Sequence, residues 1–185
     1  MRLARFENLL IARNQTLSLI SHTTEADIWV RHFLDSAQLA ALIPDPTVTV
    51  ADIGTGAGFP GLVLAIMGMP NVHLIENNIQ KVEFLRSVIS ELDLPVTVHP
   101  VKGEAVRRFP VGVLTARALK PLDQLISLGR RLIGPETLCL LPKGRRAEEE
   151  LQTAERHWRM TVERFPSVTD PESTIFRLSN VVEAS

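Results

Sequence analysis

Eight residues, Gly54-Thr55-Gly56-Ala57-Gly58-Phe59-Pro60-Gly61, follow the run Val48-Thr49-Val50-Ala51-Asp52-Ile53. Glycines permit positive φ and a close approach of main chain to a ligand, and a helix predicted over Leu62 to Met67 aims its amide dipoles at the same spot. A carboxylate, Asp52, stands at the lip of this turn, and a second, Glu76, closes the next apolar run, Val72-His73-Leu74-Ile75. Together these residues describe a loop for a nucleoside cofactor, with Asp52, Gly54, Gly56, Gly58 and Glu76 around the ligand.

The charge of Asp52 bears on which cofactor that is. A dinucleotide would bring a pyrophosphate beside the loop, where the carboxylate repels it. S-adenosylmethionine carries a sulfonium and an ammonium and no phosphate, so acidic strand ends favour it. Glu76 lies where an acid binds ribose hydroxyls in either class and does not separate them. A glycine turn without any ligand is the remaining reading.

The elements that must position these residues follow from hydrophobic period. Short β-branched runs near 48–53, 72–76, 96–100, 111–116 and 137–141 alternate with helical patterns, which predicts parallel βαβ units. Val82, Leu85, Ile89 and Leu92 form one stripe of the clearest intervening helix. Two further runs, near 160–165 and 174–179, are separated only by Pro166 to Glu172, too short for a crossover helix, and should pair as an antiparallel hairpin. The expected fold is α/β: a Rossmann-like, seven-stranded class I methyltransferase sheet in a single domain over 1–185. Residues 1–45 form a helical cap on the core of 46–185. In that cap, Leu3, Phe6 and Leu10 repeat at helical spacing, and Thr24 with Asp27 resembles a capping box. A second helix, from about Glu25 to Leu42, should bury Val30, Phe33, Leu34, Ala37 and Ala41 over the ligand edge of the sheet.

Composition sets outer bounds. A chain of 185 residues with 45% hydrophobic content can build one full core. The formal charge of −1 gives no global attraction to nucleic acid, so RNA binding must use a local basic patch. The lone Cys139 lies in an apolar run, where packing is its expected role in a reducing compartment. No apolar leader or membrane-length run is present, and a cytoplasmic protein is expected. His22, His73, His99 and His157 lack metal-ligand spacing, so no metal is expected.

Five blocks occur in register: Arg31-His32-Phe33-Leu34-Asp35-Ser36, Asp52 through Gly61, Lys81-Val82-Glu83-Phe84-Leu85-Arg86, Ala116-Arg117-Ala118-Leu119, and Pro142-Lys143-Gly144. Together they resemble the RsmG (GidB) family, bacterial 16S ribosomal RNA guanine-N7 methyltransferases, over nearly the whole chain. The resemblance implies cofactor contacts from Gly54, Phe59, the backbone of Ala105 and Val106, and Arg117. It implies 16S rRNA within the small ribosomal subunit as partner, and a monomer is expected. The chain departs from the family's pattern at Arg13-Asn14, at Glu76-Asn77, at Glu104-Ala105-Val106 and at Ser173-Thr174. These departures keep open a cofactor-binding protein without transfer activity, beside the dinucleotide-dependent oxidoreductase that Asp52 disfavours.

Guanine N7 has an in-plane lone pair and no proton to lose, so methyl transfer to it needs alignment rather than a general base. After the fourth strand the chain reads Thr115-Ala116-Arg117-Ala118-Leu119-Lys120-Pro121, with no Pro-Pro-Tyr motif for an exocyclic amine and no Pro-Cys nucleophile. Arg117 is the expected catalytic residue, holding guanine O6 and stabilising charge at the reacting edge. Its alternative is a salt bridge to Glu76 or Asp52. Lys143 and Arg145, at the end of the fifth strand, are the main candidates for the RNA backbone, with Arg31 and Arg13 of the cap next. His32 reads as a hydrogen-bonding residue within the cap.

Overall fold

The computed structural model describes residues 2–117 and 119–184. Its strands are β1 (Val50–Ile53), β2 (Val72–Ile75), β3 (Val96–His99), β4 (Val113–Thr115), β5 (Leu138–Lys143), β6 (Trp158–Pro166) and β7 (Thr174–Glu183). They form one sheet in the order β3-β2-β1-β4-β5-β7-β6. The first five are mutually parallel, and β7 inserts antiparallel between β5 and β6. Six strands lie within two residues of the apolar runs that predict them, and β7 runs four residues further.

β1 is buried at all four positions, as a central parallel strand covered on both faces must be. Its order reverses beside β4, so the carboxyl ends of β1, β2 and β4 surround the crevice where such sheets bind ligands. The helices are α1 (Arg2–Asn14), α2 (Asp35–Ala37), α3 (Gly61–Ile66), α4 (Ile79–Leu92), α5 (Leu122–Gly129) and α6 (Ala147–Ala154). α4 buries Val82, Leu85 and Leu92 from its predicted stripe, together with Phe84 and Val88. Cys139 is fully buried in the sheet, and burial pushes its thiol up to about 12. No helix among the described residues is long and apolar enough to cross a membrane.

The N-terminal segment departs from its expected form. In place of one regular helix over 25–42, a 3-10 turn (His22–Thr24) leads to a π-helical segment (Trp29–Leu34), α2, and a 3-10 segment (Gln38–Leu42). The wider π turn shifts the register, so Ile28, Phe33, Ser36 and Leu39 face inward, while Val30 and Leu34 are 45% and 46% exposed. Ser21, not Thr24, caps the first turn by accepting the amide of Thr23. Docking of the segment rests on aromatic packing: Phe59 of the glycine loop has ring centroids of Phe6 and Phe33 at 5.3 and 5.4 Å. Such pairs contribute about 0.5–1.5 kcal/mol each beyond area burial.

Candidate cofactor and substrate site

The glycine loop is built as a tight turn on a buried brace. Gly54, Gly56 and Gly58 have φ of 65°, 59° and 99°, in the region that L side chains avoid. A Cβ on Gly61 would lie 2.3 Å from Leu74 Cδ2 and 2.9 Å from Asp52 Oδ2, so no larger residue fits there. Asp52 Oδ2 accepts the Thr55 hydroxyl at 2.5 Å and the Gly61 amide at 2.9 Å, which ties both ends of the loop to β1.

Asp52 is therefore not at the lip of the turn. It is fully buried beneath it and does not line the cavities, which corrects the direct ligand contact expected from sequence. Burial pushes its carboxyl up to about 6, against the Thr55 and Gly61 hydrogen bonds and the charge of Arg117. Its Oδ1 has no hydrogen-bond partner among the described residues. Gly58 likewise stands behind the wall, where a Cβ would meet Leu62.

Glu76 does border the cavity, and both of its oxygens are in use. Oε2 accepts the Gly56 amide at 3.0 Å, and Oε1 accepts the Asn78 amide at 2.9 Å. Asn78 in turn caps α4 through Oδ1, which accepts the amides of Gln80 and Lys81. One carboxylate thus fixes the loop after β1 to the helix after β2, and each of its oxygens keeps a further lone pair for accepting a hydrogen bond.

Two cavities flank this carboxylate. One, of about 520 Å³, is bordered by the loop residues Gly54 to Ala57, Phe59, Glu76 and Arg117, with Leu19, Ile20 and Ser21 of the N-terminal segment. The other, of about 300 Å³, runs from Gly54 and Glu76 to Lys102, Gly103 and Glu104. They share Gly54, Glu76, Asn77 and Leu119 and so form one trough. Ala105 and Val106 do not border it. Their amides close on Lys102 and Gly103 carbonyls within a 3-10 turn, and Val106 is buried in the core, so the wall lies one to three residues earlier than expected.

Asn14 is a site-building residue that the sequence did not single out. It is 3% exposed; Oδ1 accepts the amides of Leu19 and Ile20 at 2.8 and 3.0 Å, and Nδ2 donates to Glu25. It thereby holds the segment that roofs the larger cavity.

Arg117 pairs with neither Glu76 nor Asp52. Its Nη1 donates to Arg31 O at 2.7 Å and to Asp35 Oδ2 at 3.1 Å, its Nη2 lies 2.7 Å from His32 Nδ1, and its guanidinium carbon sits 5.2 Å from the Phe59 ring centroid. This contact falls within the π turn, where the Asp35 amide bonds the carbonyls of Val30 and His32 and the Arg31 carbonyl accepts from Arg117. Asp35 is also held by Gln38 at 2.9 Å and by Thr169 at 2.8 Å, so the turn between β6 and β7 joins the same network.

Beyond Arg117 lies a third cavity of about 290 Å³, bordered by Arg31, Asp35, Gly144, Thr169, Asp170 and Ser173 among others. Of the expected RNA contacts, Arg31 is 52% exposed and 3.9 Å from Asp170, and Arg145 is 79% exposed and pairs with Glu172. The Arg13 side chain, at the end of α1, bonds the Thr16 hydroxyl and does not border this cleft.

Lys143, expected as a surface contact, borders this cleft, but its ammonium is engaged in a buried tie. Its ammonium, 8% exposed, donates to Glu150 at 2.9 Å and to Lys120 O at 2.7 Å, linking β5 to α6 and to the start of α5. Lys143→Ala leaves Glu150 half-enclosed without its cation, and a loss of about 2–4 kcal/mol in urea denaturation is expected. The salt dependence of RNA association should stay unchanged, whereas loss of a free phosphate contact would lower its log–log slope by about one unit.

The strand order, the reversal beside β1 and the trough at its carboxyl end define a class I, Rossmann-like methyltransferase fold. Solved structures agree: the glycopeptide N-methyltransferase MtfA complexed with S-adenosyl-L-homocysteine superposes with a TM-score of 0.65 at 11% identity, covering 80% of this chain and 89% of that one. A point mutant of MtNAS in complex with S-adenosylmethionine gives 0.63 at 18% identity over 96% and 74%. The family model for rRNA small subunit methyltransferase G (GidB) matches residues 1–175, and the chain belongs to that family. It is 48% identical to the ribosomal RNA small subunit methyltransferase G of Rhodospirillum centenum over 97% of this chain and 83% of that protein. The corresponding protein of Paramagnetospirillum magneticum is 42% identical over 97% and 88%.

Proposed function

We propose that this protein transfers a methyl group from S-adenosylmethionine to N7 of a guanine in the 16S rRNA of the small ribosomal subunit. The observation that carries the reading is the position of Arg117. Together with His32 it is common to the glycine-loop cavity and the cleft beyond, so a donor on one side and a base on the other meet at one guanidinium.

The trough fits the donor. Glu76 offers acceptors to ribose hydroxyls, Gly54 and Gly56 admit close main-chain approach, and the unpartnered Oδ1 of Asp52 keeps negative potential beneath the loop. S-adenosylmethionine, when bound, supplies a methyl carbon on a sulfonium; as N7 forms its bond to that carbon the C–S bond breaks, and no proton moves.

Arg117 keeps two of its five N–H groups, one on Nε and one on Nη2, free of the three bonds described above, and these reach for guanine O6. The methylated base gains positive charge, so a lone guanidinium would oppose the reaction. Asp35, 3.1 Å away, makes the pair neutral, and Arg117 acts by aligning the base rather than by stabilising charge. Arg31 and Arg145, held by Asp170 and Glu172 on the β6–β7 turn, are the rim cations that RNA phosphates exchange onto. The protein acts as one domain without a metal.

The test is transfer of labelled methyl to small subunits from a strain lacking the gene, followed by nucleoside digestion. One N7-methylguanosine per subunit is expected. Label on any other nucleoside, or none, overturns the reading.

A further inference from the structure

His32 stands where the cofactor cavity and the cleft meet, and its surroundings fix how it can behave. Its Nδ1 faces Arg117 Nη2 at 2.7 Å. A guanidinium only donates, so Nδ1 must carry no proton. A neutral imidazole then holds its proton on Nε2, which lies 2.9 Å from Thr24 Oγ1. The Thr24 hydroxyl gives its own hydrogen to Ser21 O at 2.8 Å, so its oxygen is free to accept. Each role forces the next, along one line from Arg117 through His32 and Thr24 to the main chain of the N-terminal segment. The ring also lies against Phe59, with centroids 5.1 Å apart, which limits its rotation.

We propose that His32, as the neutral Nε2–H tautomer, is the positioning residue for Arg117: it holds the guanidinium plane in the orientation that presents the remaining donors to the base. The inference rests on the methyltransferase reading above. An imidazolium in this place would lose its acceptor and set two cations 2.7 Å apart.

The groups facing His32 are Arg117, Asp35 and Arg31. Burial and Arg117 lower its proton affinity, Asp35 opposes them, and the balance sets the imidazole at about 4 instead of 6.5. The fold thus favours the neutral ring. This contribution to stability is fully present above 6.5 and is lost as pH falls toward 4. The positioning contact should persist across the neutral range and fail only in acid.

The experiment joins two readouts on the full chain. In the first, nitrogen NMR of imidazole-labelled protein, with His32 assigned by its loss in His32→Asn, should show a bare Nδ1 and a protonated Nε2 from pH 8 to 5. An Nδ1–H tautomer, or titration at the ordinary value, overturns the proposal.

In the second, single-turnover methyl transfer to small subunits is compared at saturating cofactor. His32→Leu, which fills the space without an acceptor, should slow transfer about tenfold or more with little change in cofactor affinity. His32→Asn, whose amide oxygen stands near the position of Nδ1, should recover most of that loss and remove the decline in acid. A wild-type rate in His32→Leu, or no recovery in His32→Asn, also overturns it. If the unaltered protein transfers no methyl group, the methyltransferase reading fails, and the NMR result still judges the tautomer.

Discussion

Arg117→Ala is expected to lower single-turnover methyl transfer by about ten- to a thousandfold, the range for losing one charged donor that orients a reacting group. The guanidinium has three contacts to Arg31, Asp35 and His32, so its orientation is set before the base arrives. Alanine removes both that orientation and the proposed contact to O6. Asp35 loses its cation, so some stability goes too, but it keeps its bonds to Gln38 and Thr169, and the rate is compared where both proteins are folded. Lysine should rescue only in part: it restores charge beside Asp35 but cannot bond Arg31, His32 and a base at once. Cofactor affinity measured on the same variant separates the roles. A normal rate refutes base alignment, and a defect wholly explained by weaker cofactor binding leaves Arg117 as a wall of the trough.

Glu76→Ala should lower S-adenosylmethionine affinity by about a hundredfold or more in calorimetry. Two effects add. In the proposed complex the carboxylate accepts from ribose hydroxyls, and hydrogen bonds to a charged group contribute about 1.5–3 kcal/mol each. It is also the acceptor for the Gly56 and Asn78 amides, so its removal releases the loop at φ 59° and loosens the start of α4. Glu76→Gln keeps one acceptor oxygen and should fall between. Unchanged affinity in Glu76→Ala would place the nucleoside outside this trough.

The sheet was legible from residues because β-branched runs and the short interval between Pro166 and Glu172 leave few other arrangements. The glycine loop was legible for the same local reason. What could not be read depends on contacts across the chain. Arg117 finds Asp35 from 82 residues away, and no pattern near either residue signals the pair. Lys143 looked like a surface cation because charged residues are rarely buried; only the approach of Glu150 and the Lys120 carbonyl shows otherwise. The stripe of the second N-terminal helix was misjudged at Val30 and Leu34 because a 3.6-residue period does not allow for a π turn. Asn14 sits in a polar break that reads as loop, and its role follows from its burial and its bonds to Leu19, Ile20 and Glu25. Ala105 and Val106 came from family resemblance and not from local chemistry, and the trough wall is set a residue or more before them.

The bond between Thr169 and Asp35, across 134 residues, has a consequence for how the protein comes into being. One wall of the cleft is made 134 residues before the other, which lies on the β6–β7 turn. The glycine loop and the parallel strands can assemble while the chain is still emerging. The cleft cannot, so a nascent chain able to hold the methyl donor has nowhere to seat a base. Competence to seat the base therefore waits for the β6–β7 turn, while the loop for the donor is already in place.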